Sequence, residues 1–565
     1  MGNLLFDIVS EEIVKVLNIS ITDIYCKLEV PPCSDIGDVA LPCFSFAKTL
    51  KKSPQSIAED IQVKLLEQNR VNKQDVFSEI LVSGGYLNFY LNRSKLIRIF
   101  YKSVCDGLLL DKSDNEGKKI TVEHTSINPN ASPHIGRARN AFIGDASVRL
   151  LRFLGFNVTV HYLVNDIGKQ IALLVCCINY KENIEFNELL SLYIDANEQL
   201  KTNSELEKDV FNILNRMENG DEEVFAQFTR IVDICLKGQT QILNEIGIFY
   251  DKYDRESQYV ISKKTEKILA CLKTTGRLFE DKEGRLVLDL SEFNINSENP
   301  YLPLTRKDKT SLYPLRDICY NIDKHADDTT RNIVILGQDQ RLYGLQINAA
   351  LSLLGKKGAE IINYSFVLLP EGKMSTRKGQ VILLEDLMHD TTIYAKNAIE
   401  ERYGSAYDDA LPKQLSYGAI KYSILKCGND KNVVFDRDSA LNFEGNTSVY
   451  IQYSFARIQS LLKNENLDVN INDVESLVHA IEWEIIKKIF IFNQILNTVS
   501  QDFNFAPLCS YLFDLSRLFS RWYTECPIKT SNAKLKSARL FLASSIANII
   551  KSGLDILGID TPEKI

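Results

Sequence analysis

Apolar positions along this chain alternate between a period near two and a period near 3.6, and the changeovers predict its elements. Leu4, Ile8, Ile13 and Leu17 fall at helical spacing and predict an amphipathic opening helix. A Pro/Gly segment, PPCSDIGDVALP, and then AKTLKKSPQSIAEDI lead to a strand-like run from Gly85 to Leu91. The charged stretch DKSDNEGKK at 111–119 reads as a linker. Val122 to Ser126 has the alternation and β-branching of a buried strand. The turn Asn128-Pro129-Asn130-Ala131-Ser132-Pro133 breaks it, after which Ala138, Ala141, Phe142, Val148, Leu151 and Leu154 restore helical spacing as far as a capping Gly155. Val158 to Val164 is strand-like again. This is a βαβ unit whose helix points its N-terminus at the crevice above a parallel sheet, where anions collect.

From about Gln170 to Pro300 the α/β alternation lapses into helices and polar segments, as an insertion in a nucleotide fold would. Strand character returns at Ile333–Leu336, a helix is predicted over Leu342–Leu354, and another strand over Ile361–Val367. Beyond about Ala440 the pattern is helical throughout, in 448–463, 479–499, 506–525 and 532–556.

At 565 residues the chain exceeds one core and should divide into three or four domains. No apolar run reaches the length of a membrane span, the N-terminus lacks a basic n-region, and position 6 is not Ser or Thr, so a myristoylation pattern fails. A cytoplasmic protein without membrane contact is expected. The 12 cysteines form no C-x-x-C pair or Cys/His cluster, and several, such as Cys176, Cys177 and Cys319, sit in apolar segments. They read as reduced core residues, with no metal site. A formal charge of −8 argues against indiscriminate polyanion binding but leaves room for local basic patches.

Two short motifs narrow the chemistry. HIGR at 134–137 opens the βαβ helix, and EGKMSTRKG at 371–379 follows the last predicted strand. Together, in this order, they resemble the HIGH and KMSKS signatures of class I aminoacyl-tRNA synthetases, and KMSTRKG is close to the form found in arginyl-tRNA synthetases. The resemblance extends to both ends of the chain. GD-x-A-x-P, a lysine-rich helix, P-x-x-IA and GG-x-x-N resemble that family's N-terminal additional domain, which contacts the tRNA elbow. Y-x-Q-Y-x-x-AR, YLFDLSRLFSRWY and GLDILGIDTPE resemble its α-helical anticodon-binding domain.

The implied architecture is multidomain α/β. It comprises an N-terminal α+β additional domain (1–112), a Rossmann-like catalytic domain (113–370) with an insertion at about 170–300, a KMSKS-like loop and stem-contact region (371–440), and an all-α anticodon-binding domain (441–565).

The resemblance also implies a reaction: arginine–tRNA ligation through arginyl-adenylate, with Mg-ATP as substrate, activation requiring bound tRNA, and no tightly bound cofactor. The partners would be tRNA(Arg), L-arginine and ATP, and the enzyme a monomer. Adenylation needs no protein nucleophile, only positioning and charge stabilisation around the α-phosphorus. The resemblance places catalytic tasks on His134, Arg137 and Lys373, and ATP contacts on His134, Gly136, Arg137, Lys373, Met374, Ser375 and Lys378. Two positions depart from the family pattern. Arg137 stands for a second histidine, and Thr376 for a second lysine whose charge Arg377 or Lys378 would supply.

A guanidinium receptor needs carboxylates and an oriented hydroxyl in a shielded site. YDRESQ and YPLRD resemble the family's arginine pocket, placing Glu256 against the guanidinium with Tyr313 and Asp317 beside it. Ser126, Asn128 and Gln340 would hold the α-amino and α-carboxylate groups, and Glu123 and Gln170 would line the same cleft. His124 and His161 lie among apolar residues and are read as structural. Lys421, Lys426 and Lys431 could face a tRNA acceptor arm or solvent, while Tyr450, Gln452, Tyr453 and Arg457 share a C-terminal helix. Two rivals stand beside the ligase. One is a catalytically silent, tRNA-binding homologue. The other is a small-molecule adenylyltransferase, which would leave the helical C-terminal domain unexplained.

Overall fold

The computed structural model describes residues 2–17, 19–32, 34–72, 76–107, 115–178, 184–295, 299–325, 329–369, 372–373, 382–404, 406–442, 444–465, 468–529 and 532–565. Its centre is a five-stranded parallel sheet built from β1 (Lys119–Glu123), β2 (Asn157–Val164), β3 (Lys252–Arg255), β4 (Thr329–Gly337) and β5 (Glu360–Tyr364). Their order across the sheet is β5-β4-β1-β2-β3. The chain direction across the sheet reverses between β1 and β4, and the crevice above the carboxyl ends of those two strands is where such sheets bind ligands. Glu123 closes β1 opposite Val334 of β4.

Helix α1 (Ile135–Phe153) is the crossover from β1 to β2, buried along most of its length. It packs unusually close to the end of β1: a Cβ on Gly144 would come within 2.1 Å of the His124 ring, so only glycine admits this approach. Gly155, at φ 91°, ends the helix as expected.

The structure corrects the expected strand at Val122–Ser126. The strand stops at Glu123, because Thr125 and Ser126 have φ of 74° and 44°, a left-handed conformation that no extended strand contains. The expected insertion is also divided. Helices Lys169–Cys177, Phe186–Leu200, Ser204–Glu218 and Glu222–Glu245 fulfil it, but β3 inside it pairs with β2. The sequence of β3, KYDR, is a polar strand on the sheet edge with no apolar run to announce it. A small antiparallel sheet of 278–280, 286–289 and 301–303 follows. The run Ile361–Val367 splits likewise. β5 ends at Tyr364, and β6 (Val367–Leu369) joins a separate small sheet with β7 (Gly372–Lys373) and β8 (Val433–Val434).

After β3 and the small antiparallel sheet, α2 (Tyr313–Lys324) precedes β4, and α3 (Arg341–Leu353) joins β4 to β5. The first region carries a helix at Leu4–Val14, one at Pro54–Asn72 and an antiparallel sheet of 39–42, 86–91 and 77–83. The C-terminal region is helical at Ser448–Leu462, Ala480–Phe490, Phe492–Asp502, Ala506–Glu525 and Ala533–Ile556. These two ends of the chain touch. Asp38 accepts hydrogen bonds from the Trp483 indole at 3.1 Å, Lys487 at 2.8 Å and the Leu91 amide at 2.9 Å. Phe100 packs edge-on against Phe490 and Phe541. Among the described residues no helix is long and apolar enough to cross a membrane.

Candidate active site

A cavity of about 380 Å³ opens above the junction of β1 and β4. The turn that floors it is held against its own strain. The Thr125 amide donates to Asn140 Oδ1 at 2.6 Å, and Asn140 Nδ2 donates to the Ile335 carbonyl at 2.8 Å, so one side chain of α1 ties the β1 turn to β4. Ser126 Oγ accepts the Leu163 amide at 3.0 Å. Further along, Gln239 reaches in from the helix Glu222–Glu245. It accepts from Tyr162 at 2.9 Å and donates to the carbonyls of Asn128 at 2.9 Å and Ala131 at 2.7 Å. Two adjacent left-handed non-glycine residues are costly, and these partners over-determine them.

His134 caps α1 from extended backbone, its Nδ1 accepting the Gly136 amide at 3.2 Å. Burial, with the positive charge of Arg137 second, pushes its pKa down to about 4. The imidazole is therefore neutral near pH 7, and with Nδ1 accepting, its proton sits on Nε2, leaving one uncharged N–H to donate. Residues 382–384 clasp the same helix start: Ile135 donates to the Ile382 carbonyl at 3.1 Å and Leu384 to that of Pro133 at 2.9 Å. The backbone that follows 371–381 thus returns to HIGR. Gly372 and Lys373 pair with β6, whereas Met374, Ser375, Thr376, Arg377 and Lys378 lie outside the described residues.

Of the arginine-site expectations, Glu123, Ser126, Asn128, Glu256, Tyr313, Asp317 and Gln340 all line the cavity, as does Arg137. Gln170 does not. It is exposed on the helix that begins at Lys169, outside the cavity lining. His134 and Gly136 start the helix beside the cavity without lining it.

The charges are arranged in pairs. Arg316 Nε donates to Glu256 Oε2 at 2.7 Å with both side chains buried, and Arg316 also holds the Ser311 carbonyl at 2.8 Å. Lys324, its side chain fully enclosed, is bonded to Glu123. Burial raises Glu256 to about 7 against the pull of Arg316. Among the described residues Asp317 has no cation bonded to it: Tyr343 donates to Oδ2 at 2.7 Å and Asn321 to Oδ1 at 2.8 Å. Burial first, and the charge of Glu123 second, raise it to about 6. A half-buried carboxylate lacking a cation, in a cavity open to ligand, is a receptor for one.

The region described as "tRNA synthetases class I (R), catalytic domain" matches residues 102–437, "Arginyl tRNA synthetase N terminal domain" matches 3–91, and "DALR anticodon binding domain" matches 451–565. The arginine–tRNA ligase of Methanocaldococcus jannaschii is 34% identical over 578 residues, covering 100% of this chain and 99% of that protein. That of Methanococcus aeolicus is 34% identical, covering 97% of each. The chain belongs to the arginyl-tRNA synthetase family. The Thermus thermophilus arginyl-tRNA synthetase structure superposes with a TM-score of 0.81 at 24% identity, covering 99% of both chains, a likeness of fold. Membership makes this a class I aminoacyl-tRNA synthetase and a ligase, with a parallel-sheet catalytic domain between an N-terminal domain and a helical C-terminal one.

Several residues around this synthetase site escaped the sequence reading. Arg316, Asn321 and Lys324 share one face of α2 with Tyr313, Asp317 and Tyr320, at helical spacing opposite the buried Leu315, Ile318 and Cys319. That polar stripe on a strongly amphipathic helix was a readable signal. Tyr343 and Asp339 lie beside the expected Gln340 and line the cavity. Gln239 is a lone buried amide among apolar helix positions.

His124 is buried, with Nδ1 2.8 Å from Thr125 Oγ1, and His161 Nδ1 meets Asp254 at 2.7 Å. Lys421 cannot face tRNA: it is buried and donates to the Gly558 carbonyl at 2.6 Å. Gln452 is buried too, donating to the Asp560 carbonyl at 2.8 Å, whereas Arg457 stacks its guanidinium 4.2 Å from the Tyr523 ring centre. Among the described residues no group of His, Cys, Asp and Glu could hold a metal ion.

Proposed function

We propose that this synthetase activates L-arginine with Mg-ATP in the cavity above β1 and β4, and then transfers it to the 3′-terminal adenosine of tRNA(Arg). What supports the arginine site is Asp317, a half-buried carboxylate bonded among the described residues only to neutral groups. The substrate guanidinium would supply the missing cation, bridging Asp317 and Glu256 with Tyr313 over its plane. Ser126, Asn128 and Gln340 would orient the α-amino and α-carboxylate groups so that the carboxylate meets the α-phosphorus in line with departing pyrophosphate.

His134 Nε2–H and the Arg137 guanidinium stand where the phosphates would lie, at the positive end of α1. His134 donates without charge, and Arg137, in place of the family's second histidine, adds charge. Lys373, with Gly136, Met374, Ser375 and Lys378, would complete the nucleotide contacts. The enzyme acts as a cytoplasmic monomer, and bound tRNA completes the site for activation.

The test is ATP–pyrophosphate exchange with each amino acid, with and without tRNA. Exchange that needs both arginine and tRNA is the expected result. Exchange with cysteine or leucine and none with arginine overturns the reading.

A further inference from the structure

The cavity holds more charge than one substrate side chain can use. Glu123, Glu256 and Asp317 bring three inner carboxylates to it, and the exposed Asp339 a fourth at its edge. Two buried cations answer them: Arg316 on Glu256, and Lys324, in the last turn of α2, on Glu123. The Lys324 ammonium also lies 4.5 Å from the centre of the Tyr320 ring, and its side chain has no exposed surface. Arg137 lines the same cavity from α1, and Asp339, on the turn after β4, is exposed, so solvent screens its charge. That leaves Asp317, whose bonded partners Tyr343 and Asn321 are neutral.

We infer that Lys324 is a positioning residue for the amino-acid substrate: by occupying Glu123 it leaves Asp317 as the one of the three inner carboxylates, Glu123, Glu256 and Asp317, with no cation bonded to it among the described residues, so a cationic side chain is taken at Asp317. The inference rests on the cavity being the arginine site. It assigns Glu123 to an internal ion pair instead of to the substrate. An ion pair without solvent access is a poor source of stability, since desolvation offsets most of its attraction. Its effect here is on where charge is left over. With Lys324 absent, Glu123 would compete with Asp317 for the guanidinium at the end of β1. The α-carboxylate would then be carried out of line with the α-phosphorus, and such misplacement is expensive in rate. With Glu123 neutralised alone, the stranded ammonium would repel the guanidinium.

The experiment is tRNA-dependent ATP–pyrophosphate exchange by the full chain for wild type, Lys324→Met, Glu123→Gln, the double variant Lys324→Met/Glu123→Gln, and Asp317→Asn. Each single change at the pair should lower kcat/KM for arginine by about tenfold or more, with the KM for ATP moving by less than about threefold. The double variant, which strands no charge, should return to within about threefold of wild type. Losses that add in the double variant, or single variants that behave as wild type, overturn the inference. If Lys324→Met does not fold, comparing Glu123→Gln with the double variant decides the same point. Asp317→Asn tests the site itself: an unchanged arginine KM there brings down the arginine-site reading, whatever the Lys324 variants do.

Discussion

The hydroxyl of Tyr343, on α3, donates to Oδ2 of Asp317, on α2, at 2.7 Å, so two helices from different parts of the catalytic domain meet on one carboxylate. This bond favours the ionised form of Asp317 and opposes the rise that burial imposes. Tyr343→Phe should therefore weaken arginine binding without touching it directly. We expect the KM for arginine to rise by about threefold to tenfold, as one charge-assisted hydrogen bond would dictate, with the KM for ATP unchanged. Exchange kinetics at saturating ATP measure it.

The same carboxylate sets a pH dependence. Asp317 titrates near 6 in the folded protein against an ordinary value of 3.8. The folded state therefore holds the proton more tightly, and this group's contribution to stability falls as pH rises from about 4 through 6. Binding a guanidinium requires the ionised form, so the KM for arginine should climb as pH drops through 6. In Asp317→Asn the KM should be high and lose the inflection near 6, keeping only that of Glu256 near 7, and the melting temperature should rise relative to wild type at pH 7.5 but not near pH 4. A wild-type KM independent of pH between 5.5 and 7.5 would contradict the assignment.

His134 carries a different expectation. Because its imidazole is neutral down to about pH 4, activity above pH 5 should show no inflection attributable to it. His134→Ala should lower kcat for exchange by about 100-fold, in the range of other preorganised donors. It should also cost about 1 kcal/mol of stability through loss of the helix cap. Single-turnover adenylate formation, with arginine affinity unaltered, separates these effects.

Gln239 is the remote support of the turn at Asn128–Ala131. Gln239→Leu removes its bonds to Tyr162 and to two carbonyls at once. A loss of about 2–5 kcal/mol is expected from the buried groups left unpaired, together with raised KM values for both substrates. Urea unfolding and exchange kinetics check the two halves of this prediction.

The sequence was legible wherever periodicity and burial agree. Three of the C-terminal helices fall within a few residues of their expected spans, since each buries a long apolar stripe such as Leu508, Leu512, Leu515 and Phe519, whereas the expected 479–499 divides at Ile491 into Ala480–Phe490 and Phe492–Asp502. It was less legible where elements are short, polar or bent. The edge strand β3 buries none of its residues, and Thr125 and Ser126 leave the strand region although nothing in their side chains forbids it. The motifs brought seven of eight expected arginine-site residues to one cavity. Gln170 lies outside it, exposed on the helix that begins at Lys169. The compensating cations were missed because a lysine or arginine in a single sequence carries no mark of being buried; only its place on the polar face of α2 hinted at it.

Asp38 and Trp483 give the protein a built-in optical reporter. The chain has two tryptophans, both buried. Among the described residues the Trp522 indole N–H has no bonded partner, whereas that of Trp483 ends on a carboxylate from the opposite end of the chain. Separating the first hundred residues from the helical C-terminus would strip that carboxylate from one indole and admit water, while the other stayed dark to the event. The emission spectrum of an unlabelled sample thus reads out whether the two outer domains, about 450 positions apart in sequence, are seated on each other.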